Sequence, residues 1–270
     1  MSRSFQQMNQ ILYNEFASEY NSTRNADPYI TSRLFELMSP KEEGLYIDIG
    51  CGTGNYSIQL AQTGIRIYGI DPSEEMLKKA KEKSGSVKWL LGTAEKIPTP
   101  NQFFNGGIAT LTIHHWTNLE TSFAELFRVL KPEARLAIFT STPEQMAGYW
   151  LNHYFPAMMV EAINKMPGLF SIRKAAEKAG FSLHYTEKYS IHPDLKDHFL
   201  YSGKLNPKIY LDKNIRMGIS SFVSQSNSLE IEEGLMRLEM DIANNDFEKV
   251  QSTFENKSGD YLFVVLEKKR

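Results

Sequence analysis

The chain of 270 residues is long enough to bury a large core, either as one domain with insertions or as one domain plus a lid. A net charge of −2, a pI of about 6.3 and the lack of a basic stripe interleaved with aromatic residues argue against nucleic acid as a substrate. No apolar run approaches roughly 18 residues and no signal region is visible, so a membrane partner is not expected. The single cysteine, Cys51, fits a reducing cytoplasm.

Two helices are predicted before the first strand, and together they form a predicted N-terminal helical cap over residues 1–40. The second helix starts at Asp27-Pro28, where proline suits the first helical position, and it ends at Ser39-Pro40. One face of the first helix carries Phe5, Met8, Leu12, Tyr13 and Phe16.

The segment LYIDIGCGTG, residues 45–54, is a predicted strand that runs into an acid and three alternating glycines, Gly50, Gly52 and Gly54. Glycines remove the Cβ atoms that would keep a small molecule away from the backbone at the carboxyl edge of a parallel sheet. The spacing departs from the dinucleotide pattern GxGxxG, because the third glycine comes one residue early. Asp48, two residues before the first glycine, favours a ligand that carries positive charge.

Strands and helices alternate after this loop. A second strand over residues 65–70 ends at Asp71, whose carboxylate can accept hydrogen bonds from both hydroxyls of a ribose. Ser73 is a predicted helix cap, followed by acids in the first turn and bases in the last. The remaining predicted elements are a strand at 87–91, a strand at 104–111, a helix at 118–131, a strand at 135–140, a helix at 171–179, a strand at 181–191 and a last strand at 261–266.

Two long segments interrupt this alternation. Residues 143–170 are dense in aromatic and thioether side chains, which predicts an apolar lid over a pocket; an ordinary packed helical hairpin is the compatible alternative. Residues 193–259 form a predicted helical insertion on the substrate side or at a dimer contact, with room for two helices. Their apolar faces are marked by Leu211, Ile215, Ile219 and Phe222, and by Ile231, Leu235, Leu238 and Ile242.

These motifs, in this order, resemble the class I S-adenosylmethionine (SAM)-dependent methyltransferases, in particular the small-molecule enzymes of the methyltransferase-type-11 kind. The resemblance implies an α/β fold with a doubly wound, mostly parallel seven-stranded sheet of the Rossmann-like kind. It places the SAM-binding core at residues 41–192 and 260–270, a range that includes the predicted lid at 143–170. Two positions depart from the family: Asn105 stands where the family has Asp, and Glu133-Ala134 replaces the usual glycine pair.

The resemblance also implies roles for individual residues. The glycine loop holds the methionyl part of SAM, Asp48 orients its ammonium group, and Met76 contacts the adenine or only packs its helix on the sheet. Tyr20 and Arg24 match an N-terminal segment that folds over the site, where Arg24 pairs with the SAM carboxylate or is a plain surface arginine. The full set of implied cofactor-binding residues is Tyr20, Arg24, Asp48, Gly50, Cys51, Gly52, Gly54, Asp71, Pro72, Met76, Thr93, Ala94, Glu95, Thr110 and Leu111.

Methyl transfer from a sulfonium needs positioning and desolvation of the reactants, and a base only if the acceptor must lose a proton. His114 and His115, after the fourth strand, are the candidates for such a base, and shaping the pocket is their alternative role. No metal is expected, because the other histidines show no ligand spacing with a carboxylate.

The expected function is therefore SAM-dependent methylation of a small, partly apolar molecule, with O-methylation slightly favoured, by a cytoplasmic monomer or homodimer. One alternative is a non-catalytic SAM-binding protein with a regulatory or interaction role. The other is a nicotinamide-dependent dehydrogenase, against which the glycine spacing and Asp48 argue.

Overall fold

The computed structural model describes residues 23–223, 227–254 and 257–269, which are built around a seven-stranded sheet with helices on both faces. The predicted first helix and Tyr20 lie outside these residues. The strands are β1 (Leu45–Ile49), β2 (Arg66–Asp71), β3 (Lys88–Leu91), β4 (Phe104–Thr110), β5 (Leu130–Thr140), β6 (Phe181–Tyr189) and β7 (Tyr261–Lys268). The α-helices are α1 (Pro28–Met38), α2 (Asn55–Gln62), α3 (Glu74–Lys83), α4 (Leu119–Val129), α5 (Pro143–Ala147), α6 (Leu151–Tyr154), α7 (Pro156–Lys165), α8 (Leu169–Ala179), α9 (Lys213–Met217), α10 (Ser228–Asn244) and α11 (Phe247–Ser252).

The strand order in the sheet is β3-β2-β1-β4-β5-β7-β6. Strands β1 to β5 pair in parallel, and β7 runs antiparallel between β5 and β6. The mostly parallel, doubly wound α/β sheet expected from the sequence is confirmed. The order of the strands reverses between β1 and β4, and in such sheets a crevice opens at this point beyond the carboxyl ends of the strands.

Each face of the sheet buries its own apolar core, because successive side chains of a strand point to opposite faces. Tyr46 of β1 faces a core that includes α1 and the helices of residues 143–254. Its neighbour Ile47 faces the other core, which is built with α4 and α8. The two cores fix the position of β1 from both sides and thereby hold the loop that follows it.

The predicted start of α1 at Asp27-Pro28 and the predicted cap of α3 at Ser73 are confirmed. Asp27 accepts a hydrogen bond from the backbone N–H of Ile30, and Ser73 accepts one from Met76, so each satisfies a free N–H of the first helical turn. Helix α4 ends two residues earlier than predicted, because β5 already begins at Leu130.

Both departures from the family have local structural roles. Asn105 Oδ1 accepts hydrogen bonds from the backbone N–H of Leu45, at 3.1 Å, and from Lys131 Nζ, at 3.0 Å. Glu133 adopts a φ of 65°, the left-handed conformation that glycine reaches without steric cost. The backbone at Glu133, within β5, therefore keeps a conformation that suits glycine, at a cost of roughly 1–2 kcal/mol.

The aromatic residues of the predicted lid are packed inside the protein. Tyr149, Trp150 and Tyr154 are completely buried, and they pack against the 193–259 segment instead of facing a cavity. The Tyr149 ring stacks on Tyr201 with 3.9 Å between centroids, and Trp150 contacts Phe247 edge-on at 5.0 Å. Periodicity and composition cannot separate an aromatic side chain that faces a ligand from one that faces another helix, so the packed hairpin is the arrangement found.

The first predicted helix of the insertion is also wrong, and the second is confirmed. The first apolar face is divided between two 3₁₀ turns, Pro207–Leu211 and Ser220–Val223, and the short helix α9 between them. Asp212 caps α9 and Gly218 ends it, which breaks the expected continuous helix. Helix α10 is continuous and buries Ile231 and Leu238.

Candidate cofactor and active site

A cavity of about 580 Å³ lies beyond the carboxyl ends of β1 to β4. It brings together most of the side chains that the sequence singled out. The predicted residues that line it are Arg24, Asp48, Gly50, Cys51, Gly52, Asp71, Pro72, Met76, Thr93, Ala94, Glu95, Thr110, Leu111 and His115. Gly54 and His114 are described but are not on its wall.

The three glycines of the loop all have positive φ angles, but they serve different purposes. A Cβ on Gly52 would meet no atom within 4 Å, so the backbone at Gly52 borders open space. A Cβ on Gly50 would collide with the side chain of Thr112, and one on Gly54 with the ring of Trp89. Gly52 therefore leaves room for a ligand, whereas Gly54 is required by packing at the start of α2.

Two buried acids stand on the cavity wall. Asp48 is 2% exposed and accepts a 2.6 Å hydrogen bond from Ser57 Oγ. Burial raises the pKa of Asp48 to about 7, against the hydrogen bond from Ser57, and the charge of Asp71 adds to the increase. Burial also raises the pKa of Asp71, although its two oxygens accept backbone hydrogen bonds from Gly52 and Ser73, each at 2.9 Å. A cationic ligand would stabilise both carboxylates in their charged form.

Glu95 ties the loop after β3 to the start of α4. Its Oε1 accepts hydrogen bonds from the backbone and hydroxyl of Thr117, at 2.8 and 3.0 Å, and from Ser122 Oγ at 3.1 Å. Burial alone would raise the pKa of Glu95, but hydrogen bonds from its own backbone, Thr93 and Thr117 outweigh this and lower the pKa. Glu95 therefore holds the wall of the cavity in place while remaining ionised.

Burial of the Cys51 thiol, with the charges of Asp71 and Asp48, raises its pKa well above the ordinary value. The thiol therefore stays protonated at neutral pH. A protonated thiol is a poor nucleophile, which agrees with the interpretation of Cys51 as a small residue that fits the loop.

The cavity wall also contains an acid that sequence analysis missed. Asp197 lies in the 193–259 insertion, and its side chain is only 2% exposed. Its Oδ1 is 2.5 Å from Arg24 Nε, its Oδ2 is 3.2 Å from Arg24 Nη2, and it accepts a third hydrogen bond from Tyr56. No sequence motif marks Asp197, because 173 positions separate it from Arg24 and its neighbours are ordinary loop residues.

Of the two adjacent histidines, His115 lines the cavity and His114 does not. His115 is exposed towards the cavity, while surrounding protein and the charge of Lys165 lower its pKa to about 4. His114 packs against His115 with 4.0 Å between ring centroids, and its Nδ1 is buried without a partner among the described residues. Burial, together with the neighbouring cations, lowers the pKa of His114 well below its usual value. Both rings are neutral at neutral pH, and His115 is the one placed to contact a ligand.

Two kinds of feature are absent from the described parts of the chain. Within them, no group of three or more His, Cys, Asp or Glu side chains is arranged to hold a metal ion. No helix there has both the length and the apolar character needed to cross a membrane.

Comparison with known proteins shows that part of this chain matches the model of a known protein family. Residues 47–138, which run from β1 to β5 and include the glycine loop, match the model of the methyltransferase domain family. The chain carries a class I SAM-dependent methyltransferase domain. The crystal structure of a candidate methyltransferase from an antibiotic biosynthesis pathway of Anabaena variabilis is similar to nearly the whole of this chain. It is 29% identical with a TM-score of 0.81, and the match covers 91% of this chain and 99% of that one.

Curated relatives match shorter stretches of this chain. The biotin biosynthesis bifunctional protein of Teredinibacter turnerae is 29% identical over 63% of this chain and 33% of its own length. The malonyl-[acyl-carrier protein] O-methyltransferase of Hamiltonella defensa is 30% identical over 44% of this chain and 46% of its own. This chain thus spans a third to about half the length of the curated relatives it matches. The [4+2]-cyclase SpnF, 18% identical with a TM-score of 0.54 over 89% of this chain and 80% of its own, shares the fold alone.

Proposed function

We propose that this protein binds SAM in the cavity at the carboxyl edge of the sheet and transfers its methyl group to a small, partly apolar acceptor. The observation that carries the proposal is the joint placement of Asp48, Asp71 and the open side of Gly52 around one cavity. SAM has a positively charged sulfonium and ammonium and a ribose with two hydroxyls, and each of these groups meets a suitable partner there.

The lining residues fit such a ligand in charge and in hydrogen bonding. The described side chains on the wall include four carboxylates, Asp48, Asp71, Glu95 and Asp197, against the one guanidinium of Arg24. Each oxygen of Asp71 accepts one backbone N–H and has a second lone pair available for a ribose hydroxyl. The cavity wall near Asp71 and Met76 suits the nucleoside part, and the wall near Asp48 and Arg24 suits the amino-acid part.

When bound, SAM supplies an activated methyl group on a sulfonium, and the residues of the chain position and enclose the two reactants. The lowered pKa of His115 makes it a weak base, so acceptors that hold their proton tightly, such as phenols, are disfavoured. A carboxylic acid is already ionised at neutral pH and needs no base. We therefore favour O-methylation of a carboxylate, with the neutral His115 ring as a hydrogen-bonding group for the acceptor, and a relative named as an O-methyltransferase supports this choice.

Calorimetric titration of the purified protein with SAM, S-adenosylhomocysteine and NADH tests the cofactor first. The expected result is binding of both sulfur nucleosides in the micromolar range and no binding of NADH. Transfer of a labelled methyl group to panels of carboxylic acids, phenols and amines then tests the acceptor, with carboxylic acids expected to react best.

Each alternative function has its own outcome in these experiments. Binding of NADH but not of SAM would support the dehydrogenase. Tight SAM binding without transfer to any class of acceptor would favour the non-catalytic binding protein.

A further inference from the structure

Three residues of the insertion, 196–198, run beside residues 23–27 and bring the insertion to the wall of the cavity. The backbone N–H of His198 donates to the carbonyl of Thr23 at 3.3 Å, and that of Lys196 donates to Asp27 Oδ2 at 3.1 Å. Between these two contacts, Asp197 pairs with Arg24. Main-chain bonds on both sides of Asp197 therefore fix where its carboxylate lies.

The pair of Asp197 and Arg24 is directional as well as charged. Two parallel N–H···O bonds, from Nε and from Nη2, hold the plane of the guanidinium against the carboxylate. Tyr56, on the first turn of α2, donates its hydroxyl to the same carboxylate at 3.1 Å. The Asp197 side chain is 2% exposed and that of Arg24 is 15% exposed, so loss of either partner would leave a charge poorly compensated.

We propose that Asp197 is a positioning residue of the cofactor site: it holds Arg24 at the amino-acid end of the cavity, so that the 193–259 insertion and the SAM pocket form one functional unit. This inference rests on the proposed function, since it assumes that SAM occupies the cavity. Arg24 and Asp197 both line the cavity, together with Asp48, Asn55 and Tyr56, and Asn55 Nδ2 donates to the backbone carbonyl of Arg24. Arg24 and Asp197 thus lie beside the start of α2, directly after the glycine loop to which we assign the amino-acid part of SAM.

The test compares two ligands that differ only at that end. S-adenosylhomocysteine carries the amino-acid part, whereas 5′-methylthioadenosine lacks it. In Asp197→Asn the bidentate acceptor is lost, and the dissociation constant for S-adenosylhomocysteine is expected to rise about tenfold while that for 5′-methylthioadenosine changes less than about twofold. Asp194→Asn, a substitution of an exposed acid on the same insertion, is the matched control and is expected to change neither constant.

Equal weakening of both ligands in Asp197→Asn would overturn the assignment, because a residue that only stabilises the fold cannot distinguish them. Unchanged binding of S-adenosylhomocysteine would overturn it as well. Arg24→Lys and Tyr56→Phe decide the question if Asp197→Asn fails to fold. Selective loss of S-adenosylhomocysteine, about tenfold for the lysine variant and about twofold to threefold for the phenylalanine variant, supports the role, and parallel loss of both ligands refutes it.

Different results would overturn the proposed function and the role of Asp197. A wild-type protein that binds neither nucleoside overturns the proposed function and this assignment together. A wild-type protein that binds both, with variants that do not discriminate between them, overturns only the role of Asp197.

Discussion

The affinity for SAM is expected to depend on pH through Asp48. In the free protein this carboxyl group is almost completely buried, and its pKa is raised to about 7 from 3.8. A bound ligand with a positive charge near it favours the ionised form and lowers the pKa again. The complex therefore holds fewer protons than the free protein between the two pKa values, and SAM binding releases a proton in that range.

The direction and size of the effect follow from linkage. Affinity rises as the pH rises towards 7, and the contribution of Asp48 levels off above that pH, where Asp48 is ionised before SAM binds. With a free-state pKa of about 7 and a complex pKa well below 6, SAM should bind roughly eightfold more weakly at pH 6 than at pH 7.5. The proton released per bound SAM is about half at pH 7 and approaches one at pH 6.

The same shift affects the stability of the free protein. The pKa of Asp48 is higher in the folded than in the unfolded chain, so its contribution to stability is present below pH 3.8 and is lost as the pH rises through about 7. The full difference corresponds to roughly 4 kcal/mol. Because SAM is expected to bind more tightly at pH 7.5 than at pH 6, it should raise the melting temperature more at pH 7.5.

Titration calorimetry between pH 5.5 and 7.5, repeated in buffers with different ionisation enthalpies, measures both the affinity and the number of protons released. This range avoids the amino group of SAM itself, which loses its proton near pH 8. Asp48→Asn is the matched control: it should bind SAM more weakly, but with an affinity that is constant across the range.

Two results would refute the reasoning. Wild-type affinity that does not change with pH, together with no buffer-dependent heat, would mean that Asp48 is ionised before SAM binds. A pH dependence that persists in Asp48→Asn would assign the proton to another group, of which Asp71 is the first candidate because burial raises its pKa too.

Three further substitutions test other parts of the structure. Asp71→Ala should weaken SAM binding by about 1.5–3 kcal/mol, the range for hydrogen bonds to a charged group, and calorimetry showing unchanged affinity would contradict its assignment to the ribose. His115→Ala should leave SAM binding within about twofold and lower turnover by less than about 100-fold; a larger loss in a steady-state assay would make His115 a general base. Lys204→Met should destabilise the fold by about 3–5 kcal/mol in urea titration, because it leaves Asp260, 0% exposed, without its cation. Full stability of this variant would show that the pair is dispensable, and Lys204→Met combined with Asp260→Asn should recover part of the loss.

The fold and the loop were predictable from the sequence because their signals are local. Alternation of apolar residues marks strands and a 3.6-residue period marks helices, while caps such as Ser73 act within one turn. Asp48 lies near the end of β1, and the glycines at 50, 52 and 54 follow it directly before α2, so their spacing alone locates a ligand at the edge of the sheet.

The parts that could not be predicted depend on contacts between distant segments. The aromatic residues at 149–159 are needed to pack against the insertion, and nothing in their spacing reveals which surface they face. His114 and His115 are adjacent in sequence, yet only His115 lines the cavity, because the 3₁₀ turn Ile113–His115 directs the two rings differently. Asp197 acts through a contact across 173 positions, which no local pattern encodes.

The two departures from the family pattern also change meaning once their positions are known. From the sequence alone, Asn105 and Glu133-Ala134 are compatible with a non-catalytic protein that keeps the fold of the family but not its activity. Asn105 bonds to the start of β1, at the amino end of the sheet, whereas the cavity lies beyond the carboxyl ends of the strands. Glu133 preserves a glycine-like backbone conformation within β5, and it is not among the residues that line the cavity. Changes at these two positions therefore report on how the sheet is assembled, and they give no support to a loss of function in the site.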